Sequence, residues 1–409
     1  MKSKDIKIIL SILILLIAVI VYRRLTATTG QFIDITEAGK YIGSYSLDTN
    51  QTIELTNNTV EIKNGKVHML EANCPDKLCI NQGFVDTDNA SIICLPNQVV
   101  VTVCQPGDAL KANGFYFNTY VELTAYNCND ESMLSNALDI CAKYENICSR
   151  TSADSELYKL NHRLLPLYGE KDGVKYYQVS DELYDMIKIG LYYSLESSGA
   201  FNIAIAPVTD LWDFTGESNV VPSEDQVKAA LAYTNYEDIH VADNNLIGFA
   251  SDKNMIDLGG IAKGYIADVL KEYLVSNNVH MAIISLGHNI LCVGDKFGES
   301  FKIGIKKPFS ENDVITTVDV SDKSVVTSGI YERYFQVDDT IYHHILDSST
   351  GYPIQNDLSS VTIISDSSTQ GDALSTLLFS LGSERALEFD RSHDDIDTVL
   401  IDRENNIIR

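Results

Sequence analysis

Three short stretches hold residue types that could do chemistry. The first is Asp257-Leu-Gly-Gly-Ile-Ala-Lys-Gly264. A short apolar run (Met255, Ile256, Leu258) leads into it, and a helical pattern follows with Ile261, Tyr265, Val269, Leu270 and Tyr273 on one face. Glycines at a strand-to-helix turn let the backbone approach a ligand closely, and the free N–H groups of a helix N-terminus suit phosphate. Lys263 stands in the first turn, where the helix dipole disfavours a cation, so an anionic ligand would account for it. A packed turn with a solvated lysine is the plainer explanation. The second stretch is Asp372-Ala-Leu-Ser-Thr376. Residues four apart on a helix point the same way, and a carboxylate with a hydroxyl makes hard oxygen ligands for Mg²⁺ completed by waters and a phosphate. The alternative is an acid favoured by a helix N-terminus and a hydroxyl bonding back to the helix. The third is His343-His344-Ile-Leu-Asp347-Ser-Ser-Thr350-Gly351-Tyr-Pro353, a strand running into a turn. Neighbouring strand residues face opposite ways, so only one of the two histidines can reach a given site.

The chain has 409 residues and a net charge of −26. That length predicts two or three domains. The charge argues against a nucleic-acid partner, which it would repel. None of the eight cysteines forms a C-x-x-C pair, so a zinc ribbon or thioredoxin motif is not expected.

The elements that must position these residues read in order. Lys2, Lys4 and Lys7 precede an apolar run, Ile8–Tyr22, which predicts an uncleaved N-terminal membrane anchor over residues 1–30, with a cleaved signal peptide as the alternative. The bulk of the chain would then lie outside the cytoplasm, at the cell membrane, where disulfides persist. Residues 31–106 read as a small all-β domain, with strands at Thr52–Leu55, Thr59–Ile62, Lys66–Leu70, Ser91–Leu95 and Val99–Val103 and a hairpin turn at Asn64-Gly65. Residues 107–114 read as a linker. From residue 115 to 409 the pattern is mixed α and β, an α+β class overall. Phe115–Ala125 alternates as one strand, Leu258 ends another, and helices are expected over Asp130–Ile147, Asp181–Glu196, Ile261–Asn277 and Gln370–Leu381. Further strands are expected at Met281–Leu286, Phe301–Ile305, Ser324–Thr327, Tyr342–Ile345 and Ser359–Ile364.

Two resemblances follow. Cys74-Pro-Asp-Lys-Leu-Cys79, Gly83 and Cys94-Leu-Pro-Asn97 resemble the turns of NusG domain II-like β domains. This implies a fold and no activity, and it leaves open a metal or redox site at Cys74, Cys79 and Cys94, a structural disulfide, or buried thiols. The later blocks resemble the ApbE family of FAD:protein FMN transferases. The matching blocks are Phe117-Asn118-Thr119; Asp154-Ser155 with Asn161; Gly199-Ala-Phe-Asn202 with Pro207; Asp257 to Gly264; Thr327-Ser328-Gly329 with Tyr331 and Arg333; and His344 to Asp347 leading to Asp372 to Thr376.

The resemblance implies that Mg²⁺ is held by the Gly260 carbonyl, Asp372 and Thr376, with Ser375 nearby. It implies FAD as substrate, contacted by Phe117, Ala200, Phe201, Asn202, Asp257, Lys263 and Leu346. It departs from the family pattern at Phe117-Asn118, Thr151, His288 and Ser348. The implied reaction moves FMN from FAD to a Thr or Ser hydroxyl of an acceptor flavoprotein with an FMN-binding domain, releasing AMP. His344 is the first candidate for the base and Asp257 the second. Two other readings use the same residues: a Mg²⁺-dependent FAD pyrophosphatase with water as nucleophile, and a non-enzymatic flavin-binding module of an extracytoplasmic electron-transfer chain.

Overall fold

The computed structural model describes residues 29–408 apart from 106, 108, 127, 129, 215–218, 311 and 339. The anchor expected over residues 1–30 lies almost entirely outside them. Among the described residues, no helix is long and apolar enough to cross a membrane. The chain divides into two compact units: residues up to 108 with Asp295–Glu299, and Ala109–Gly294 with Ser300–Arg409.

The first unit is all-β apart from one short helix, Leu78–Asn81. One sheet runs Lys40–Ser46, Phe32–Glu37, Val99–Cys104, Ser91–Cys94; a second runs Gln51–Glu54, Asn58–Lys63, Lys66–Ala72. Alternating side chains (Ile33, Ile35, Val60, Ile62, Val67, Met69, Val99, Val101, Val103) fill its core. Asn64 and Gly65 both take positive φ, as a two-residue hairpin turn between right-twisted strands requires.

The second unit is built on an eight-stranded antiparallel sheet. Its order is Ile407–Ile408, Ile396–Asp402, Leu358–Ser365, Ser324–Gly329, Asn289–Val293, Ala282–Leu286, Thr119–Ala125, Leu110–Tyr116. The helices Glu131–Cys148, Ala262–Ser276 and Ser368–Leu381 pack on it and on one another. A ribbon of Phe301–Lys306 and Val314–Val320 sets Ile305, Ile315 and Val318 against Val399 and Ile401, while Leu400 between them faces the main core. Leu358–Ser365, buried at every residue, is therefore a strand covered on both faces.

Three expectations are corrected. Residues 107–114 are not a free linker, because Leu110–Tyr116 pairs with Thr119–Ala125 as the sheet's edge strand. The single strand expected over Phe115–Ala125 is instead a hairpin that reverses at Phe117-Asn118, both at positive φ. No strand ends at Leu258. The extended segment there has a side chain as its partner: Asn161 Oδ1 accepts from Ile256 N at 2.8 Å, and Asn161 Nδ2 donates to Ile256 O at 2.8 Å. One amide supplies both bonds that a neighbouring strand would have made.

Candidate active site

The site forms where the loop 257–261 and the helix Ala262–Ser276 meet the helix Ser368–Leu381. Gly264 sits at the crossing. A Cβ there would lie 2.3 Å from the Ser368 carbonyl oxygen, so only glycine allows the helices this approach. Asp372 is 3% exposed. Its Oδ2 accepts from Gly264 N at 2.9 Å, and its Oδ1 lies 3.7 Å from Lys263 Nζ. Burial raises its pKa; Lys263 and the Gly264 N–H oppose that. The Gly264 N–H, one of those a helix start leaves open, is thus already satisfied by Asp372. Lys263 Nζ also reaches the Gly259 carbonyl at 3.4 Å.

One turn beyond Asp372, Thr376 Oγ1 lies 3.2 Å from Ser328 Oγ, which also meets Ser375 Oγ at 2.8 Å. A Cβ at Gly260 would be 3.5 Å from Thr376 Oγ1 and 2.8 Å from the Phe201 ring. Gly260, Thr376 and Phe201 are therefore neighbours, as the sequence blocks implied. Asp257 joins the same segment, with its N–H donating to Ile203 O at 2.7 Å. Both its carboxylate oxygens are engaged: Oδ1 accepts from Gly259 N at 2.8 Å, and Oδ2 lies 3.2 Å from Arg150 Nε.

The strand Thr340–His343 ends at the first of the two histidines, short of the expected Ile345, and their surroundings differ. His343 is buried, its Nε2 donating to Ile354 O at 3.0 Å, and burial lowers its pKa to about 3. His344 points the other way. Burial and Arg333 lower its pKa, and Glu332 works to raise it. Burial pushes the Glu332 pKa up, but His288, His344 and Lys263 outweigh it and the net direction is down. His288 Nδ1 lies 3.5 Å from Glu332 Oε1. The Gly287-His288 turn has positive φ only at Gly287, so its second position accepts a side chain.

The remaining predicted residues lie on flanking elements. Asn202 Oδ1 accepts from Ala204 N at 2.8 Å and its Nδ2 donates to Thr234 O at 2.9 Å, so its side chain shapes the turn after Phe201. Ala200 is held nearby, since Ser348 Oγ donates to the Gly199 carbonyl and ties the 347–351 turn to this loop. Leu346 packs in an aromatic cluster around Trp212, Phe335 and Tyr352. Phe117 N donates to Glu145 Oε1 at 3.0 Å, one turn before Cys148 on the same helix. Burial pushes the Cys148 thiol up to about 12, with Lys263 working against it. Two residues escaped the sequence reading. Arg150, which precedes Thr151, ion-pairs with Asp257 and Asp210. Glu332 lies between Tyr331 and Arg333, inside a block that was recognised.

The ApbE family model matches residues 117–400. The chain belongs to the ApbE family. A FAD:protein FMN transferase of Klebsiella pneumoniae is 36% identical over 282 residues, covering 68% of this chain and 85% of that protein. One of Treponema pallidum is 34% identical over 239 residues, covering 54% of this chain and 66% of that protein. An ApbE protein structure from Thermotoga maritima superposes with a TM-score of 0.66 at 30% identity, over 74% of this chain and 97% of that one. The NusG domain II model matches residues 8–106. The ApbE match runs from the Phe117 turn through the last long strand, so all the site residues above lie within it.

Proposed function

We propose that this chain transfers FMN from FAD to a Thr or Ser hydroxyl of an acceptor flavoprotein and releases AMP. Its ApbE relatives are named for that activity. The observation that carries the reading is the buried Asp372 carboxylate beside Lys263, with Gly260, Ser328 and Thr376 adjoining. A buried carboxylate with a raised pKa gains from a cation beside it, and hydroxyl and carbonyl oxygens complete a hard donor set. Asp372, Thr376 and the Gly260 carbonyl would hold Mg²⁺, which neutralises charge on the pyrophosphate when bound.

The chain's own residues do the rest. Lys263 holds phosphate oxygens. Phe201 and Asn202 shape the wall beside Gly260. His344 takes the hydroxyl proton as the acceptor oxygen bonds to the FMN-side phosphorus. The anhydride P–O bond breaks, and its electron pair leaves with AMP. His344 suits this role better than Asp257, because Asp257 is engaged on both oxygens and its pairing with Arg150 positions the loop. The apolar run at Ile8–Tyr22 behind three lysines supports a membrane-anchored, extracytoplasmic enzyme, and protease accessibility in intact cells tests that placement.

The decisive experiment incubates the protein with FAD and Mg²⁺, with and without an FMN-binding-domain acceptor. AMP together with an FMN-sized mass gain on the acceptor is the expected result. AMP with free FMN and no adduct would indicate a pyrophosphatase. FAD bound intact would indicate a flavin-binding module.

A further inference from the structure

The all-β unit holds a cluster that the flavin site does not use. Cys74, Cys79 and Cys94 are buried, and their three sulfurs lie within 4.8 Å of one another, the one such group of potential metal ligands among the described residues. They come from two separate segments: Cys74 precedes the helix Leu78–Asn81 and Cys79 lies in it, while Cys94 ends the strand Ser91–Cys94. Cys74 Sγ and Cys79 Sγ are 3.7 Å apart. Two thiolates bound to one tetrahedral ion at ~2.3 Å each sit about 3.8 Å apart. A disulfide would use two of the sulfurs and leave the third as a buried thiol.

The surroundings hold this arrangement in place. Next to Cys74, Asn73 Nδ2 donates to Asn57 Oδ1 at 2.8 Å. Three residues after Cys94, Asn97 Nδ2 donates to Asn58 Oδ1 at 2.6 Å and to Asn57 O at 3.2 Å. Both cysteine-bearing segments are thereby tied to one Asn57-Asn58 turn. Asn58 is itself buried, and its Nδ2 donates to Met69 Sδ at 3.2 Å. Outer partners that fix ligand orientation are a mark of built metal sites.

We propose that Cys74, Cys79 and Cys94 form a three-thiolate site for a thiophilic d¹⁰ cation, with Zn²⁺ as the cation to test. Binding releases the thiol protons and leaves three metal–sulfur bonds with one coordination position open. The site would staple two loops of a small domain and is separate from the hard-oxygen set around Asp372.

The test uses the full chain, purified under reducing conditions, stripped with chelator and titrated with Zn²⁺. One ion per chain, accompanied by proton release, is expected. Alkylation followed by peptide mass analysis should find Cys74, Cys79 and Cys94 protected with zinc and labelled after chelation, while Cys104 and Cys128 label in both states. Co²⁺ in place of Zn²⁺ should give thiolate-to-metal charge-transfer absorption. Cys94→Ser should lose the ion, and Cys141→Ser should keep it. Should Cys94→Ser fail to fold, the wild-type alkylation map decides alone. No stoichiometric zinc, or labelling of the three cysteines that zinc does not change, overturns the proposal. So does a Cys74–Cys79 peptide two hydrogens lighter under the reducing conditions of the titration.

Discussion

Asp268 and Asp372 cap each other's helices. Asp372, on the helix Ser368–Leu381, accepts from Gly264 N at 2.9 Å in the first turn of the helix Ala262–Ser276. Asp268, on that second helix, accepts from Ser368 N at 2.8 Å and from Thr369 N at 2.9 Å, and also from the Ser367 and Thr369 hydroxyls at 2.9 and 2.6 Å. Each carboxylate satisfies N–H groups that a helix start leaves open, and each sits at the positive end of the other helix's dipole. The exchange fixes the crossing that carries the site, and the two carboxylates play different parts in it.

Asp268 has four donors and no cation, so its role is to hold the crossing. Asp268→Ala leaves those donors without their acceptor and should cost about 2–3 kcal/mol, read as a fall in the urea midpoint at unchanged slope. Asp372→Asn keeps an acceptor for Gly264 and removes only the charge. It should fold with near-native stability and lose about 10²-fold or more in AMP release. Equal loss of stability in the two variants would refute this division of roles.

Gly264→Ala should destabilise strongly, because the new Cβ would lie 2.3 Å from a backbone oxygen that cannot turn aside. Overpacking of this kind costs about 1–3 kcal/mol. Thermal unfolding of the variant checks it; a melting temperature within a degree of wild type would show that the helices part without cost.

Asn161→Ala removes both bonds to Ile256, leaving its N–H and C=O buried and unpaired at a cost of about 2–4 kcal/mol. Asp257 follows Ile256 directly, so activity should fall even at temperatures where the variant is fully folded. Asn161→Asp keeps one acceptor and should recover part of the loss. Full activity in the folded Ala variant would show that the segment needs no side-chain partner.

The pH dependence separates the two histidines. As the proposed base His344 would act in its neutral form, and its lowered pKa keeps that form populated below the ordinary histidine range. AMP release should therefore decline only on the acid side of that range. Glu332→Gln removes a charge that raises the His344 pKa, so the acid limb should move to lower pH; a shift upward would remove Glu332 from the site's electrostatics. His343, with its pKa lowered to about 3, works on stability. Below the unfolded value of ~6.5 the unfolded chain binds the extra proton. Stability is thus intact above ~6.5 and falls as pH drops towards 3, by several kcal/mol if the full shift is expressed. Denaturant midpoints measured across that range should show the decline, and His343→Gln should flatten it.

Much was legible from residue types alone. The periodicity of Asp181–Glu196 marked that helix to its ends, and Asn64-Gly65 marked its hairpin, because apolar spacing and turn chemistry are local properties. Lys263, Asp372 and Thr376 stood out as candidates because a loop with three glycines and a carboxylate–hydroxyl pair at i, i+4 are short patterns, while Asp257 and Gly260 were implied by the family resemblance. The sequence also restricted the two histidines to opposite faces. It did not say which one would be buried, since that depends on what packs on each face. The edge strand Leu110–Tyr116 read as a linker because its Gly-Asp-Ala-Leu-Lys-Ala-Asn-Gly stretch lacks strand composition; its pairing with Thr119–Ala125 overrides that propensity. Only the tertiary structure showed that Asn161 replaces a strand partner, that Arg150 and Glu332 adjoin the candidate site, and that Asp268 and Asp372 cap each other's helices. In each case the partners stand far apart in sequence, and a hydrogen bond or ion pair between distant residues leaves no periodic trace in the chain. It is set by which surfaces the core brings together.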